Sequence, residues 1–398
     1  MIKTESALLH DCPFCGAAEH KALLHYDISV TSDSRPGAGP VSNRQCLACG
    51  GVFNASGSRY HVDSFYSDHY QLLSDSDLAE FVYQLNQEAQ TRGINDQMID
   101  HIVANLNLPE QGRLLEVGSG KGLFLKKFSE RFPGWSLSSV EPSRNAQSYL
   151  ARLVPGARFH FGSFQTCPFA NETFDLVVSI GVLEHIPEPV DFARRLHDCT
   201  SSNGAVFISV PNFRHNPSDL IAYDHLSRFS AESLRGVLAR AGLKVRMSHE
   251  ADMVPMWVVA KPDAGMQPER AALSAALALA DAAEDWMRQS FEVYDRLGRL
   301  DASRRIGIYG TGIAVMGAAS LTSLTAERIA CFFDDNMHLH GKERLGRPVV
   351  ALDQFRALGI TDICFSANPC YLPRLEAKVR SVCGDAVAMW PLPALRAA

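Results

Sequence analysis

The chain has 398 residues and a formal net charge of −6 at pH 7, and 46% of its residues are hydrophobic. This length allows two or three domains that each bury a core, and the composition is that of an ordinary soluble protein. The acidic balance argues against a broad surface for nucleic acid. Met1–Ser6 begins no signal peptide and the alanine-rich run 271–283 is too short to cross a bilayer, so we expect a cytoplasmic protein without a membrane segment.

Two Cys-x-x-Cys-Gly sequences near the N-terminus predict a metal site. Each glycine permits a tight turn that aims two thiols at one ion, and four sulfurs make a closed, structural zinc site with no position left for water. The ligands would be Cys12, Cys15, Cys46 and Cys49. The gap between the pairs is longer than in most zinc ribbons, and the run 35–40 within it is predicted to be a loop. The remaining cysteines are scattered, as is typical of reduced, buried thiols.

A segment rich in aromatic, hydroxyl and carboxylate groups, 65–76, follows the cysteine pairs and includes Tyr70. It is either a solvated helix entry or a lid over a ligand pocket. From Leu78 to about Leu106 the apolar residues have helical spacing, which predicts a helix.

A short apolar run that ends in a glycine turn stands in the middle of the chain. The run 113–117 predicts a buried strand, Gly118, Gly120 and Gly122 predict a turn, and Leu123 begins a helical pattern. Dinucleotide folds use GxGxxG at this place, whereas the spacing here is GxGxG. About twenty residues further on, Glu141 ends a second strand, where a carboxylate can accept hydrogen bonds from both hydroxyls of a ribose.

These motifs resemble those of the class I S-adenosylmethionine-dependent methyltransferases over roughly residues 95–262. LLEVGSGKG matches the first motif of that family, Val140-Glu141-Pro142 the end of its second strand, and 174–186 its fourth strand and exit. The resemblance implies an α/β fold with a Rossmann-like core. It also implies which residues bind the methyl donor S-adenosylmethionine: Glu116, Gly118, Ser119, Gly120, Gly122, Glu141, Pro142, Ser163, Phe164 and Ser179.

Two segments are expected to overhang that donor, because ligands of open α/β sheets bind beyond the carboxyl ends of the strands. They are Glu184-His185 after the fourth strand, and the insertion 211–229 after the fifth. His225 in the insertion is the first candidate for a general base, since an imidazole can remove a proton near neutral pH, with Asp224 or another carboxylate to orient it. The alternative is a histidine that only hydrogen-bonds its own loop.

The third part of the chain begins at the breaker cluster 261–265 and continues with a long helix at about 268–300. A second strand-to-glycine turn, 310–312, and a strand that ends at Asp334-Asp335 follow it. Such a turn with an acidic residue can bind NAD, but a folded domain without a dinucleotide is the preferred interpretation.

The order of the three parts resembles the sugar C-methyltransferases that act on nucleotide-linked 4-keto-6-deoxy sugars. The resemblance implies a zinc-binding domain with a lid at 1–75, a methyltransferase domain at 76–262, and a linker helix with a C-terminal Rossmann-like domain at 263–398. It implies a small-molecule partner, a nucleotide sugar, bound between the second and third of these. The family's catalytic positions correspond here to His225, Asp224, His185, Tyr70 and Tyr223.

The chain departs from that family at several points, among them Asp224 in place of a glutamate and Leu72 in place of a lid aromatic residue. Two other interpretations therefore stay open. One is an O- or N-methyltransferase that acts on another small acceptor. The other is a binding protein, in which the zinc module recruits a partner beside a vestigial cofactor site.

Overall fold

The computed structural model describes residues 11–37, 39–56, 82–84, 91–250, 254–266 and 273–395. The predicted lid 65–76, with Tyr70, lies outside these ranges. Within them, no helix combines the length and the apolar character that a bilayer-spanning helix requires. Strands and helices are numbered below along the described chain.

A small antiparallel sheet follows the first cysteine pair and carries the second pair at one of its turns. Its strands are β1 (His20–Tyr26), β2 (Val41–Cys46), β3 (Val52–Asn54) and β11 (Ser227–Arg228), in that spatial order. Alternate residues of β2 are buried, as expected for a strand with one face on a core. The fourth strand belongs to the insertion predicted at 211–229, so the N-terminal sheet is completed by a segment from the middle of the chain.

The central sheet has seven strands in the order β12-β13-β10-β9-β6-β7-β8. Its strands are β6 (Arg113–Val117), β7 (Ser136–Glu141), β8 (Arg158–Phe161), β9 (Phe174–Ile180), β10 (Thr200–Pro211), β12 (Leu243–His249) and β13 (Pro255–Pro262). Only β13 runs antiparallel to its neighbours in this sheet. The chain winds outward from β6 and then returns to β9 beside it, which makes the β6/β9 edge the switch point where such sheets bind ligands.

Helices cover both faces of the central sheet. The bounds are α1 (Ile94–Asn105), α2 (Leu123–Arg131), α3 (Gln147–Leu153), α4 (Pro189–Asp198) and α5 (Ala231–Arg240). Leu114 faces the core formed with α1 to α3, and its neighbour Leu115 faces the core formed with α4 and α5. This alternation along one strand gives the predicted α/β architecture two separate hydrophobic layers.

The helix predicted from Leu78 to Leu106 is only partly present. An antiparallel pair, β4 (Val82–Gln84) and β5 (Thr91–Gly93), precedes α1, which begins at Ile94. Gly93 has extended backbone dihedrals and forms the N-terminal boundary of α1. Apolar spacing alone did not reveal that break.

The C-terminal part consists of the long helix α6 (Leu273–Gly298) and a six-stranded sheet with helices α7 (Ile313–Leu321) and α8 (Leu372–Cys383). The sheet order is β16-β17-β15-β14-β18-β19, with β14 (Ile306–Tyr309), β15 (Ile329–Phe333), β16 (Glu343–Arg344), β17 (Arg347–Val350), β18 (Asp362–Phe365) and β19 (Ala388–Trp390). Only the β16/β17 pair is antiparallel in this sheet.

The glycines of the C-terminal turn have a packing role. A Cβ on Gly310 would lie 2.4 Å from the backbone oxygen of Ser366, and one on Gly312 would lie 2.7 Å from the same atom. Gly310 also has a φ of 93°, in the left-handed region. Both glycines are therefore required by contacts inside the domain, whether or not a ligand approaches the turn.

Candidate functional site

The four cysteines of the N-terminal pairs form one cluster. Sγ of Cys12 lies 3.7 Å from Sγ of Cys49, and Sγ of Cys15 lies 3.6 Å from Sγ of Cys46. Gly16 and Gly50 follow the pairs with φ of 77° and 74°, the left-handed turns that the sequence predicts. Four thiolates around zinc at ~2.3 Å stand about 3.8 Å apart, so the cluster has the dimensions of a closed tetrahedral site.

The glycine turn after β6 approaches the rest of the domain closely. Gly118, Gly120 and Gly122 have φ of 78°, 51° and 82°. A Cβ on Gly118 would lie 2.3 Å from Cγ2 of Val182. The positive φ values and this close approach explain why side chains are excluded from the turn.

Glu141 is fixed beside the glycine turn. Its Oε2 accepts a hydrogen bond from the backbone N–H of Gly120 and its Oε1 accepts one from Ser143, both at 2.7 Å. Burial raises the pKa of this carboxyl above its ordinary value. Each oxygen keeps a further lone pair, so the carboxylate can still accept hydrogen bonds from ribose hydroxyls.

The other residues predicted to bind the methyl donor differ in whether their side chains are available. Glu116 and Ser179 are buried near the turn, and each has a side-chain oxygen without a hydrogen-bond partner among the described residues. Ser119 shares a 2.6 Å hydrogen bond with Ser139. By contrast, the ring of Phe164 packs into the hydrophobic core, so an adenine contact through this side chain stays a prediction.

Ser163 is already engaged locally. Its hydroxyl accepts a hydrogen bond from the backbone N–H of Gln165 at 3.2 Å and caps the short turn after β8. Pro142 directly follows Glu141 at the end of β7. The roles of Ser163 and Pro142 in donor binding also remain predictions.

The insertion 211–229 is held in place by Arg228. Its guanidinium, only 1% exposed, donates hydrogen bonds to the backbone oxygens of His225, Ala222 (2.9 Å) and Asp219 (3.2 Å). Burial lowers the pKa of Arg228 to about 10, which leaves the group cationic at neutral pH. One buried side chain thus ties together the two turns that carry Asp219 and His225.

Asp219, rather than Asp224, orients His225. A carboxylate oxygen of Asp219 contacts Nδ1 of His225, and both side chains are at least nine-tenths buried. A carboxylate can only accept, so Nδ1 carries the hydrogen and the neutral ring presents the lone pair of Nε2. Sequence reasoning named Asp224 first and missed Asp219, although the insertion 211–229 contains only these two carboxylates.

Asp224 points the other way, toward the N-terminal sheet. Its carboxylate accepts hydrogen bonds from the backbone N–H (2.7 Å) and the hydroxyl (2.6 Å) of Ser32. Its backbone oxygen accepts one from Nδ1 of His185 at 2.9 Å. Of the two carboxylates, Asp219 contacts His225, as the alternative of another orienting carboxylate allows, whereas the backbone oxygen of Asp224 contacts His185.

The two histidines face each other. Their ring centroids lie 4.7 Å apart at an interplanar angle of 70°, and Nε2 of His185 lies 3.8 Å from Oε1 of Glu184. Tyr223, the other predicted catalytic residue described here, is 4% exposed and packs beneath the loop that contains Gly39. The structure thus brings His185, His225 and Asp224 together, and its buried Glu184 joins them.

Burial and neighbouring charges shift the pKa values of the two histidines, His185 and His225, in opposite directions. Burial lowers the pKa of His225, but the carboxylates of Asp219, Asp224 and Glu184 more than compensate and raise it to about 9. Burial and the neighbouring His225 lower the pKa of His185 to about 4. Burial raises the pKa of Glu184 to about 7. At neutral pH the ligand-free site therefore contains one protonated and one neutral imidazole.

These groups could also approach a metal ion, since ligand atoms of Glu184, His185 and His225 lie within 4.8 Å of one another. Nitrogen and oxygen ligands of tetrahedral zinc stand closer, at about 3.4 Å. In this cluster Nε2 of His185 lies 3.8 Å from Oε1 of Glu184, which is longer than that ligand separation. We therefore interpret Glu184, His185 and His225 as a proton-transfer site.

The sheet order and the glycine turn are those of the class I methyltransferase fold. Residues 88–247 match a family model described as "Methyltransferase domain". This part of the chain is an S-adenosylmethionine-dependent methyltransferase domain.

Curated relatives are methyltransferases too. The chain is 23% identical over 137 residues to trans-aconitate 2-methyltransferase of Variovorax paradoxus, a match that covers 34% of this chain and 51% of the relative. It is 36% identical over 104 residues to an uncharacterized methyltransferase of Mycobacterium leprae, covering 25% and 38%. The matches thus span about half of these relatives or less.

A solved structure with a similar fold is an S-adenosylmethionine-dependent methyltransferase from Clostridium acetobutylicum. The identity is 11%, the TM-score is 0.36, and the match covers 42% of this chain and 90% of that one.

Proposed function

We propose that this protein is an S-adenosylmethionine-dependent C-methyltransferase that acts on a nucleotide-linked keto-deoxy sugar, with His225 as the general base. The observation that carries this proposal is the buried Asp219–His225 pair at the end of the sheet where the donor binds. A carbon acid needs a base, and an imidazole with its Nδ1–H held by a carboxylate presents Nε2 for that purpose. Transfer to an oxygen or nitrogen nucleophile demands less from a base.

The residues that would hold the donor are those around the glycine turn, above all Glu141 on the ribose. S-Adenosylmethionine, when bound there, supplies an electrophilic methyl group. The ketone of the sugar acidifies the neighbouring C–H bond, and Nε2 of neutral His225 removes that proton to leave an enolate. Asp219 then stabilises the imidazolium that forms, as a carboxylate does in a hydrolase triad.

His185 has a restricted role in this scheme. Its Nδ1 donates to the backbone oxygen of Asp224, so the neutral ring offers Nε2 only as an acceptor. A hydrogen bond from His185 to an enolate oxygen would require the protonated ring. Tyr70 and Tyr223 remain the proposed neutral donors to that oxygen.

The cysteine cluster is proposed to hold one structural zinc ion. Four sulfur ligands leave no open position, so the ion would fix the fold rather than take part in proton removal. None of the ten cysteines forms a disulfide bond, which agrees with a reducing compartment and with the proposed location in the cytoplasm. The same proposal includes domain boundaries after residues 75 and 262. It also includes a nucleotide site between the methyltransferase domain and the C-terminal domain.

Proton removal can be tested apart from methyl transfer. The wild-type protein, loaded with S-adenosylhomocysteine in D2O, is expected to exchange the hydrogen beside the ketone of a nucleotide-linked 4-keto-6-deoxy sugar. The variant His225→Ala should lose this exchange by at least about a hundredfold, while His215→Ala, which removes the other imidazole of the insertion, should keep it. Exchange that survives in His225→Ala would eliminate His225 as the base.

The atom that is methylated can be read from the product. With a 13C-labelled methyl donor, one-bond carbon–carbon coupling in the product indicates C-methylation, and its absence from a methylated product indicates the O- or N-methyltransferase alternative. Calorimetry with S-adenosylhomocysteine tests the binding-protein alternative, because a vestigial site would not bind it.

A further inference from the structure

We infer that Ser32, in the loop after β1, is a positioning residue that fixes the tautomer and orientation of His185 through Asp224. The inference deepens the proposed function and rests on it in one respect, since it assigns Nε2 of neutral His185 the role of accepting a hydrogen bond from a substrate hydroxyl during turnover. The structural part of the inference concerns only hydrogen bonds among described residues and can be tested without substrate.

The first link joins Ser32 to Asp224. Both hydrogen bonds from Ser32 go to the same carboxylate, one from its N–H and one from its hydroxyl. Asp224 is 0% exposed, so water cannot replace these donors if they are lost. Hydrogen bonds to a buried charge are the stronger kind, and the loss of one shifts a local equilibrium by about tenfold or more.

The second link joins Asp224 to His185. A backbone oxygen only accepts hydrogen bonds, so the 2.9 Å contact places the hydrogen on Nδ1 of His185. Nε2 of the neutral ring then bears the lone pair that faces the site, 3.8 Å from Oε1 of Glu184. Oδ2 of Asp224, which accepts from the hydroxyl of Ser32, also lies 3.9 Å from Nδ1 of His185 and favours a hydrogen on that nitrogen. If the carboxylate turns away, the ring can change tautomer, which would place a donor where an acceptor now lies.

The loop that carries Ser32 is attached independently of this serine. The backbone N–H of Val30 donates to Ile221 at 3.1 Å, and that of Tyr223 donates to Val30 at 2.8 Å. Pairing of β3 with β11 adds a second attachment between the N-terminal sheet and the insertion. Removing the hydroxyl of Ser32 therefore removes one hydrogen bond to the carboxylate of Asp224, while the backbone hydrogen bonds that attach the loop to the insertion persist.

The tautomer of His185 can be measured by 15N NMR of protein labelled at histidine, with the signals assigned by His185→Asn. In the zinc-loaded wild type we expect the Nδ1–H form. In Ser32→Ala the ratio of the two tautomers should shift by about tenfold toward Nε2–H. Ser32→Thr, which keeps the hydroxyl, should restore the wild-type ratio. Ser42→Ala is the matched control, because Ser42 lies in the same sheet and makes its described hydrogen bonds through its backbone.

Zinc content and S-adenosylhomocysteine affinity should be unchanged in Ser32→Ala. If this variant fails to fold, Asp224→Asn weakens the same contact from the other side and should shift the tautomer in the same direction. An unchanged tautomer ratio in folded Ser32→Ala, or in Asp224→Asn, overturns the inference.

Turnover provides the second readout. With the keto-sugar substrate, Ser32→Ala should lower kcat by about tenfold and leave KM within about twofold. A tautomer shift without turnover of that substrate would contradict the proposed function and leave the positioning role intact. A tautomer shift with unchanged kcat would contradict the role of His185 in turnover.

Discussion

At the level of single residues, His225 stands among groups from two segments of the chain. Asp219 and Asp224 belong to the insertion, Glu184 and His185 follow β9, and the cationic Arg228 contacts the backbone of His225 itself. The carboxylates outweigh the effect of burial on the pKa of His225, so the protonated ring is the resting form at neutral pH. A base in this state must lose its proton before it can act.

The pH dependence of turnover follows from that charge balance. Because the pKa of His225 in the folded protein lies at about 9, above the ordinary value of 6.5, kcat/KM should rise with pH and level off above about pH 9. The measurement is a pH–rate profile of the wild type. A profile that is flat from pH 7 to pH 10 would contradict His225 as the base.

The substitution Asp219→Asn removes the negative charge of Asp219 and keeps nearly the same side-chain shape. Loss of the carboxylate removes the main interaction that raises the pKa of His225, so the rising limb of the profile should move to lower pH. The plateau rate should also fall by about a hundredfold or more, because the NH2 group of the amide can donate to Nδ1 and favour the tautomer with the hydrogen on Nε2. Asp198→Asn, on the exposed end of α4, is a control that should leave both quantities unchanged.

The sequence was sufficient to predict the positions of some residues of this site but not of others. His225, His185 and Glu141 could be placed because parallel strands direct their loops to one edge of a sheet. Asp219 could not be ranked above Asp224, since sequence proximity to His225 favoured the wrong carboxylate. The choice depends on the three-dimensional course of the insertion, which Arg228 and Ser32 determine from positions that carry no motif.

At the scale of elements, the insertion is packed on three sides. Its strand β11 pairs with β3, and the backbone N–H of Leu226 donates to the backbone oxygen of Glu184 at 2.7 Å. The turn Pro217–Ile221 packs against α6 and α7. Its end is also defined locally, because Ser230 and Ser233 form a capping box at the start of α5. The sequence indicates that cap, whereas the packing partners come from distant segments.

Gly317 in α7 makes room for the turn that carries Asp219. A Cβ at this position would lie 2.1 Å from Cδ1 of the fully buried Ile221, two residues beyond Asp219. We expect Gly317→Ala to lower kcat by about threefold to tenfold, because the turn must shift by a fraction of an ångström. Overpacking at about 1–3 kcal/mol, partly offset by the better helix propensity of alanine, should leave the protein folded.

A compensating change supplies the control for this prediction. Ile221→Val removes the Cδ1 atom that meets the new methyl group, so the double variant Gly317→Ala/Ile221→Val should regain most of the lost kcat. Chemical denaturation of the single and double variants gives their free energies of unfolding. If the double variant is no better than Gly317→Ala, the contact between α7 and the turn does not position Asp219.

At the scale of the whole molecule, the parts outside the methyltransferase domain converge on the insertion. The N-terminal sheet contributes Ser32 and β3, and the C-terminal core includes Phe213, Leu220 and Ile221 of the insertion. Sequence patterns predicted the strands of the central sheet and two strands of the C-terminal sheet, but no strand of the N-terminal sheet. They did not predict this convergence, because contacts between distant segments leave no periodicity in either of them.

Loss of the metal should therefore affect the two ligand sites unequally. Cys46→Ser is expected to abolish zinc binding and to lower the melting temperature by several degrees. The affinity for S-adenosylhomocysteine should change by less than about threefold, because the glycine turn belongs to the central sheet, whereas substrate hydrogen exchange should be lost. Cys370→Ser, far from the cluster in sequence, serves as the control. Equal loss of both functions would show that the N-terminal module supports the whole domain instead.

The pairing of β3 with β11 also bears on how the protein is made. During synthesis from the N-terminus, β1, β2 and the four cysteines emerge long before residues 227–228, which complete their sheet. Until then β3 is an open edge, a place where nascent chains can pair with one another. The four cysteines can come together early, but the N-terminal sheet reaches its final form only after residues 227–228 have been synthesised.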